Sequence, residues 1–343
     1  MNVPAPVRAD MYGARSGTPV RVRRGTAASY VGGVALAAVV VALGFGPYLV
    51  SRGAQVQLVL LFTYVLMGTM WNLLAGYGGM VSVGQQAFIG IGGYGLVYLA
   101  DIVGVSPFVA VPLAALVCGG LAWLASFLVF RLVGGYFAIG TWVVAEVVRL
   151  LTIQVDTVGA GSGISLRAWS VYTPVYRIAY VYWLSLVAMV VAVLAVYLLM
   201  RSRVGLGLTA VRDEPTAASS LGVQVTRAKR IVFVVAAIGC GLAGGVIASN
   251  TLRVQPDSIF SVSYSAIMIF IVVIGGIGTI EGPILGAVVF YVLEQQLADL
   301  GAWYLIILGA VAILFTVTLP RGLWGLVTRG RLRLFPVGYQ LRR

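Results

Sequence analysis

The chain has 343 residues, of which 60% are hydrophobic, 10% are charged and none is histidine. A soluble domain carries about 25% charged residues, so the composition excludes a water-soluble globular fold and predicts a polytopic membrane protein. The lack of histidine excludes zinc hydrolases, haem proteins and Ser-His-Asp enzymes, which need an imidazole as ligand or base. The cysteines Cys118 and Cys240 lie in apolar runs and are predicted to be small core residues, so we expect no metal and no cofactor.

The net charge of +13 is concentrated in three blocks. Residues 1–28 carry a net +4, residues 201–230 a net +4 and residues 320–343 a net +6. Because basic loops of membrane proteins stay on the cytoplasmic side, we expect all three blocks in the cytoplasm. Nucleic-acid binding needs basic residues interleaved with aromatic ones on one folded face, so we expect no nucleic-acid partner.

Ten apolar runs have the length of about 20 residues that a helix needs to cross a bilayer. They are 29–50, 55–75, 79–101, 107–130, 135–155, 178–200, 230–251, 259–280, 283–299 and 302–319. Two of them are weak, because 79–101 is rich in glycine and 283–299 is apolar only as far as Leu293. Six runs precede the central loop and four follow it, and these even counts keep the three basic blocks on one side.

We therefore predict an all-α transmembrane bundle of about ten spans, with eight as the lower limit and both termini in the cytoplasm. The predicted domains are a basic N-terminal arm (1–28), a permease domain (29–320) and a basic C-terminal tail (321–343). The permease domain contains a cytoplasmic loop at 201–229. The predicted location is the cell membrane, where the chain is multi-pass and in contact with the lipid bilayer.

Glycine patterns in the apolar runs are interpreted as helix packing. The segment from Gly90 to Gly95 fits G-x-G-x-x-G, but a dinucleotide site needs a strand before it and this segment lies inside a membrane run. The pairs with small-xxx-small spacing are Gly241 with Gly245, Gly278 with Gly282 and Gly282 with Gly286. The only lysine, Lys229, is not preceded by glycine, so the chain has no G-K-[ST] P-loop for ATP hydrolysis.

Two polar groups inside apolar runs are candidates for a translocation path. Glu146 and Arg149 stand at i and i+3 on one helix face, and an ionisable group within the membrane is costly unless it is paired or hydrated. Ser82, Gln85 and Gln86 form a second polar group in run 79–101. For both groups, a structural role and a role in lining a path remain alternatives.

The central loop contains a pattern for a short helix. Asp213 and Glu214 precede Pro215, and Gly222 follows the small-residue segment, so an acidic cap, an N-terminal proline and a glycine stop are all present. We predict a helix over 215–221 whose exposed residues permit close approach of another protein's groove; these are Ala217, Ala218, Ser219 and Ser220. An ordinary connector between two spans is the alternative.

The segment "VRDEPTAASSLGVQVTRAKRIVFVVAAIGCGLAGGVIAS" (211–249) resembles the cytoplasmic coupling segment of the LivM/LivH family of branched-chain amino acid ABC permeases. Four other segments resemble the same family. They are "NLLAGYGGMVSVGQQAFIGIGGY" (72–94), "YFAIGTWVVAEVVRLLTIQVDTVGAGSGI" (136–164), "VVIGGIGTIEGPILGAVV" (272–289) and "LPRGLWGL" (319–326). The resemblance covers about 55–326 and is closer to the LivM branch. The acidic residue that is common in the family where Pro215 stands appears one residue earlier here, at Glu214.

The resemblance implies a transport subunit that is not an enzyme and that forms half of a pore. Its implied partners are a second, LivH-like permease subunit, two cytoplasmic ATP-binding subunits and an extracytoplasmic substrate-binding protein. The implied ATPase-coupling residues are Arg212, Asp213, Glu214, Pro215, Ala217, Ala218, Leu221 and Gly222. Branched-chain amino acids are the expected cargo, with urea, amides or other amino acids as alternatives. An ion-coupled secondary transporter is the alternative class, although Glu146 is the sole acidic residue inside a strong run.

Overall fold

A computed structural model describes residues 21–23, 27–297, 303–319, 322–328 and 340–342. The described part is helical with a few short strands, which confirms the predicted all-α class. Strand β1 (Arg21–Arg23) pairs antiparallel with β4 (Gln340–Arg342). This pairing joins parts of the two predicted basic arms, while the rest of 1–28 and most of 321–343 lie outside the described residues.

The helices follow one another through most of the chain. They are α1 (Ala27–Gly44), α2 (Gly46–Leu49), α3 (Arg52–Asn72), α4 (Gln86–Val97), α5 (Pro107–Val129), α6 (Gly135–Ile153), α7 (Pro174–Arg201), α8 (Arg203–Asp213), α9 (Pro215–Ser220), α10 (Val225–Thr251), α11 (Pro256–Ile259), α12 (Ser263–Gly275), α13 (Glu281–Leu297), α14 (Trp303–Thr318) and α15 (Gly322–Thr328). π-helical turns at Leu73–Tyr77 and Tyr98–Ile102 extend α3 and α4. Strands β2 (Ile164–Ser165) and β3 (Arg253–Val254) pair antiparallel.

Six helical segments of the described chain are long and apolar enough to cross a bilayer. They are Arg52–Tyr77, Pro107–Val129, Gly135–Ile153, Pro174–Arg201, Val225–Thr251 and Pro256–Gly275. Three more predicted runs form shorter apolar helices, at Gly32–Gly44, Gln86–Ile102 and Ile306–Phe315. The chain is therefore a multi-pass helical membrane protein, and the total of about ten spans stays a prediction.

The run at 79–101 is not one continuous helix. Residues 78–85 have no regular secondary structure and α4 begins only at Gln86. Gly79 has a φ of +65°, a conformation that side-chain-bearing residues rarely adopt and that interrupts a helix. The glycine content that made this run weak in the sequence therefore marks a real break.

Helix α10 lies at the centre of the bundle, against α3, α4 and α5. Its crossing with α4 is a backbone contact: a Cβ atom on Gly92 would overlap the carbonyl of Gly241, and one on Gly244 would overlap the carbonyl of Ile89. The prediction of helix packing is confirmed for Gly92 and Gly241. It is wrong for Gly278, which lies in the turn between α12 and α13 with a φ of +76°. Cys118 and Cys240 are fully buried free thiols beside the same crossing, as predicted.

Loops that the charge pattern places on the same side of the membrane lie close together in the structure. At one end, Arg212 reaches the carbonyl of Gly76. At the other end, the Asp101 carboxylate accepts hydrogen bonds from the backbone N–H groups of Arg167 and Ala168, at 2.8 and 2.7 Å. Each end of the bundle thus contains loops that the charge pattern assigned to one side of the membrane. Which end faces the cytoplasm stays a prediction.

Candidate translocation path and coupling region

The backbone of the break before α4 is hydrogen-bonded by three other helices. The indole N–H of Trp71 donates to the carbonyl of Ser82 at 2.8 Å. The N–H of Val83 donates to the Thr141 hydroxyl oxygen at 3.2 Å, and the Ser265 hydroxyl donates to the Val83 carbonyl at 3.2 Å. Irregular backbone at membrane depth is tolerated only where such partners satisfy it, so α3, α6 and α12 together stabilise the non-helical segment.

The predicted polar group at Ser82, Gln85 and Gln86 is fully buried at this break. The Gln85 amide donates to the Ser82 hydroxyl at 3.2 Å, and the Cys240 thiol donates to the Gln85 carbonyl oxygen at 3.5 Å. The Ser265 hydroxyl donates to the Gln86 carbonyl oxygen. The sequence missed Ser265, because one serine in an apolar run gives no signal of which distant residue it meets.

A cavity of about 740 Å³ lies between α4, α5 and α6. Ser82 and Thr141 line it near the break, and Val155 and Val158 line it toward the opposite end of the bundle. Its wall is otherwise built mostly from aliphatic and aromatic side chains, including Val144. Of the polar group at the break, Ser82 therefore faces the cavity, whereas Gln85 and Gln86 bond to α10 and α12.

The predicted pair of Glu146 and Arg149 is formed and has a third member. An Arg149 terminal nitrogen lies 2.5 Å from a Glu146 carboxylate oxygen, and the other terminal nitrogen lies 2.5 Å from a carboxylate oxygen of Asp257. Asp257 belongs to α11, so Arg149 connects α6 to another part of the bundle. The sequence signal for Asp257 was only its place after Pro256 at a helix start.

The short helix in the central loop forms as predicted. It spans Pro215–Ser220, and Gly222 follows it with a φ of +83°. The N–H of Ala218 donates to the Glu214 carbonyl at 3.0 Å, and the N–H of Val223 donates to the Ala218 carbonyl at 3.1 Å. A glycine in the left-handed conformation just beyond the end is a common way to terminate a helix.

The predicted exposure of Ala218 is wrong. Its exposed fraction is 2%, because α9 folds back against α8 and touches the start of α10. Ser219 and Ser220 are exposed, and Leu221 is 83% exposed. The described exposed residues of α9 are therefore Thr216, Ser219 and Ser220, followed by Leu221, and Ala218 is not among them.

Arg212 ties the α8–α9 hairpin to the membrane helices. Its guanidinium donates to the carbonyl of Gly76 at 2.9 Å, in the π-helical turn after α3. A Cβ atom on Gly278 would lie 3.2 Å from the same guanidinium, so the turn between α12 and α13 also approaches it. Asn72 joins the two contact points, since its amide donates to the Thr279 carbonyl at 2.7 Å and its amide oxygen accepts from the Gly278 N–H at 2.8 Å.

These features define a multi-pass helical membrane protein with a polar helix break, an apolar cavity and an exposed loop helix tied to the bundle. The profile of the family described as "Branched-chain amino acid transport system / permease component" matches residues 54–316. The chain belongs to this family, and is thus a transport component of an ATP-binding cassette complex with other subunits.

Two curated relatives extend over most of the chain. The high-affinity branched-chain amino acid transport system permease protein LivM of Salmonella typhimurium is 30% identical over 325 residues, which cover 87% of this chain and 76% of the relative. The protein of the same name from Escherichia coli is 29% identical over 314 residues, which cover 84% and 73%. No solved structure gives a significant match to the chain.

Proposed function

We propose that the chain forms one half of the pore of an importer that carries branched-chain amino acids across the inner, or plasma, membrane. A homologous permease subunit forms the other half, two cytoplasmic ATP-binding subunits supply the energy, and an extracytoplasmic binding protein delivers the amino acid. The chain itself makes and breaks no covalent bond. The family, the named relatives and the helical bundle support this proposal.

The link through Arg212 is the observation that carries the mechanism. The exposed end of α9 contacts an ATP-binding subunit, and α9 packs against α8. Arg212 of α8 is bonded to the end of α3 and lies beside the turn between α12 and α13. Closure of the ATP-binding subunits therefore displaces three membrane helices together, and ATP shifts the outward–inward equilibrium because the two states differ in this contact.

The cavity between α4, α5 and α6 is the proposed route for the apolar side chain of the cargo. Its aliphatic wall suits a branched side chain, and Ser82 and Thr141 line it at the helix break. Gln85 and Gln86 position this break through their bonds to α10 and α12. Arg149, which pairs with Glu146, bonds to Asp257 and so keeps α6 in place as one wall of the cavity. In this proposal residues 29–320 are the permease domain, and the basic blocks at 1–28, 201–229 and 321–343 face the cytoplasm.

The test is Leu221→Glu in the complete complex, with Val171→Glu as the matched control. Both side chains are 83% exposed, but Val171 lies in the loop at the other end of the bundle. A charge in place of the exposed leucine of the docking surface is expected to reduce co-purification of the ATP-binding subunits and ATP-driven leucine uptake about tenfold. The control is expected to retain the ATP-binding subunits.

Wild-type retention of the ATP-binding subunits together with wild-type uptake in Leu221→Glu would show that the loop is a connector. Competition of leucine uptake by valine, isoleucine, urea and acetamide then identifies the cargo. Uptake by the purified chain alone, driven by an ion gradient, would replace the ATP-driven mechanism with a secondary transporter.

A further inference from the structure

We propose that a crevice between α5, α9 and the start of α10 binds an anionic phospholipid. The crevice has a volume of about 900 Å³. Its mouth is formed by Ser219, Gln224, Arg227 and Arg230, and its floor by Trp123 and apolar residues of α10 that include Ile231 and Val234. It is separate from the cavity that we assign to the cargo.

The mouth of the crevice is positively charged. Arg227 and Arg230 line it, and no acidic side chain is present among the described residues of its wall. Arg227 is exposed, and one of its terminal nitrogens lies 3.4 Å from the Gln224 amide oxygen. Two arginines without a carboxylate leave a local charge that an anion would neutralise, and the guanidinium group matches the geometry of a phosphate.

Arg230 is held in place before any ligand arrives. Its Nε atom donates to the Ser126 hydroxyl oxygen at 2.9 Å, and its guanidinium carbon lies 4.2 Å from the centre of the Phe127 ring. Stacking on an aromatic ring and one hydrogen bond fix the plane of the group. In the described part of the chain, no side chain or carbonyl accepts a hydrogen bond from its two terminal nitrogens, which remain available to a phosphate.

The depth of the crevice favours a lipid over a free phosphate ion. Val234 lies nine residues into α10 from Val225, which corresponds to about 14 Å along the helix axis. Trp123 and Phe127 are 48% and 49% exposed on α5, a candidate membrane span, and aromatic side chains are common where a span meets the lipid headgroups. A basic mouth above an apolar floor at the membrane face matches a phosphate headgroup with its acyl chain.

A bound headgroup would also touch α9. Ser219 belongs to α9, so the lipid would contact the same short helix that we assign to docking of an ATP-binding subunit. Short helices are marginal without external contacts. The lipid would therefore hold α9 in its docking position, and transport would be higher in a membrane that contains anionic lipid.

The experiment uses the full transporter complex purified into nanodiscs made of phosphatidylcholine with a minor fraction of phosphatidylglycerol. Phosphatidylglycerol that stays bound after detergent exchange is counted by native mass spectrometry. Arg227→Gln with Arg230→Gln is compared with Arg201→Gln. Arg201 is a matched control, because it also lies over an aromatic ring, that of Tyr197 at 5.3 Å, and donates to its hydroxyl, but does not line the crevice.

We expect the double variant to bind phosphatidylglycerol about tenfold more weakly, because each basic residue near the headgroup contributes to the attraction, and the Arg201 variant to bind it as the wild type does. Uptake is measured separately, with the full complex in phosphatidylcholine vesicles that contain increasing fractions of phosphatidylglycerol. Uptake by the wild type should rise with phosphatidylglycerol content, and uptake by the double variant should not. Unchanged lipid retention in the double variant would overturn the proposal. So would loss of the ATP-binding subunits with lipid retention intact, since the arginines would then contact a partner's acidic side chain.

Discussion

Helices α3 and α6 have similar hydropathy and opposite surroundings. An 18-residue window of Arg52–Tyr77 is 83% buried, whereas the corresponding window of Gly135–Ile153 is 17% buried. Helix α3 packs extensively against α7, α10, α12 and α13, while α6 makes smaller contacts with α4, α5 and α11. Hydropathy identifies both as spans, but it does not separate a helix of the packed interior from one that faces lipid or another subunit.

Residue size at the contact points distinguishes the closest helix crossings of the interior from the exposed surface of α6. Helices in the interior approach through glycine, as at Gly92 against Gly241. The exposed surface of α6 carries large side chains, among them Tyr136, Ile139 and Trp142. Small residues permit close backbone approach in a membrane, where apolar side chains gain little by leaving lipid. The interior is therefore closely packed, and α6 is attached to it through fewer contacts.

The largest effect is expected from a change at the glycine crossing. Gly244→Leu places a side chain where the carbonyl of Ile89 lies, so α4 and α10 must separate. We expect a loss of about 3 kcal/mol or more of stability, and loss of the monodisperse peak in size-exclusion chromatography. Gly120→Leu is the control, because a Cβ at Gly120 has no atom within 4 Å. Equal stability and equal elution profiles of the two variants would mean that α4 and α10 do not form the close backbone contact described.

The α8–α9 hairpin is intermediate between buried α3 and exposed α6, since one side of α9 is packed and the other is exposed. Ala218→Trp inserts a large side chain at a residue that is 2% exposed. It should displace α9 from α8, at a cost of about 1–3 kcal/mol, and speed protease cleavage of the loop. Ser220→Trp, at an exposed position of the same helix, should leave cleavage unchanged. Faster cleavage in both variants would show that α9 is not packed as described.

The sequence predicted the parts of this molecule that local chemistry determines. The short helix that begins at Pro215 and is followed by Gly222, and the i, i+3 pair of Glu146 and Arg149, are local patterns, and both are present in the structure. The partners of those elements are not local. Asp257 and Ser265 are each more than 100 residues from the groups that they bond, and no periodicity in one chain encodes such a pairing.

The same limit explains the errors. Ala218 was expected to be exposed because it lies in a short helix of the central loop, but the fold-back of α9 on α8 buries it. Run 79–101 has enough apolar residues for a full span, yet its helix begins only at Gln86. Side chains of Trp71, Thr141 and Ser265 satisfy the backbone of the broken segment, so tertiary contacts stabilise a break whose position the glycine content alone does not give.

The smallest effect is expected at the attachment of α6. Arg149→Gln removes the contacts to both Glu146 and Asp257, whereas Glu146→Gln leaves Arg149 its bond to Asp257. Asp257 is 83% exposed in its side chain, so we expect a loss of about 1 kcal/mol for Arg149→Gln, seen as a fall of about 2 °C in the melting temperature. Glu146→Gln should cause about half of that fall.

The double variant Glu146→Gln with Arg149→Gln separates attachment from a part in the path. If the charges only attach α6, uptake should follow the melting temperature across all three variants, because a displaced α6 alters one wall of the cavity. A double variant that melts as the wild type does but transports nothing would give the charges a direct role in translocation. An unchanged melting temperature in Arg149→Gln would mean that contacts such as that of Thr141 with Val83 hold α6 without the ionic contact. Helix α6 would then be attached to the interior more firmly than its low burial indicates.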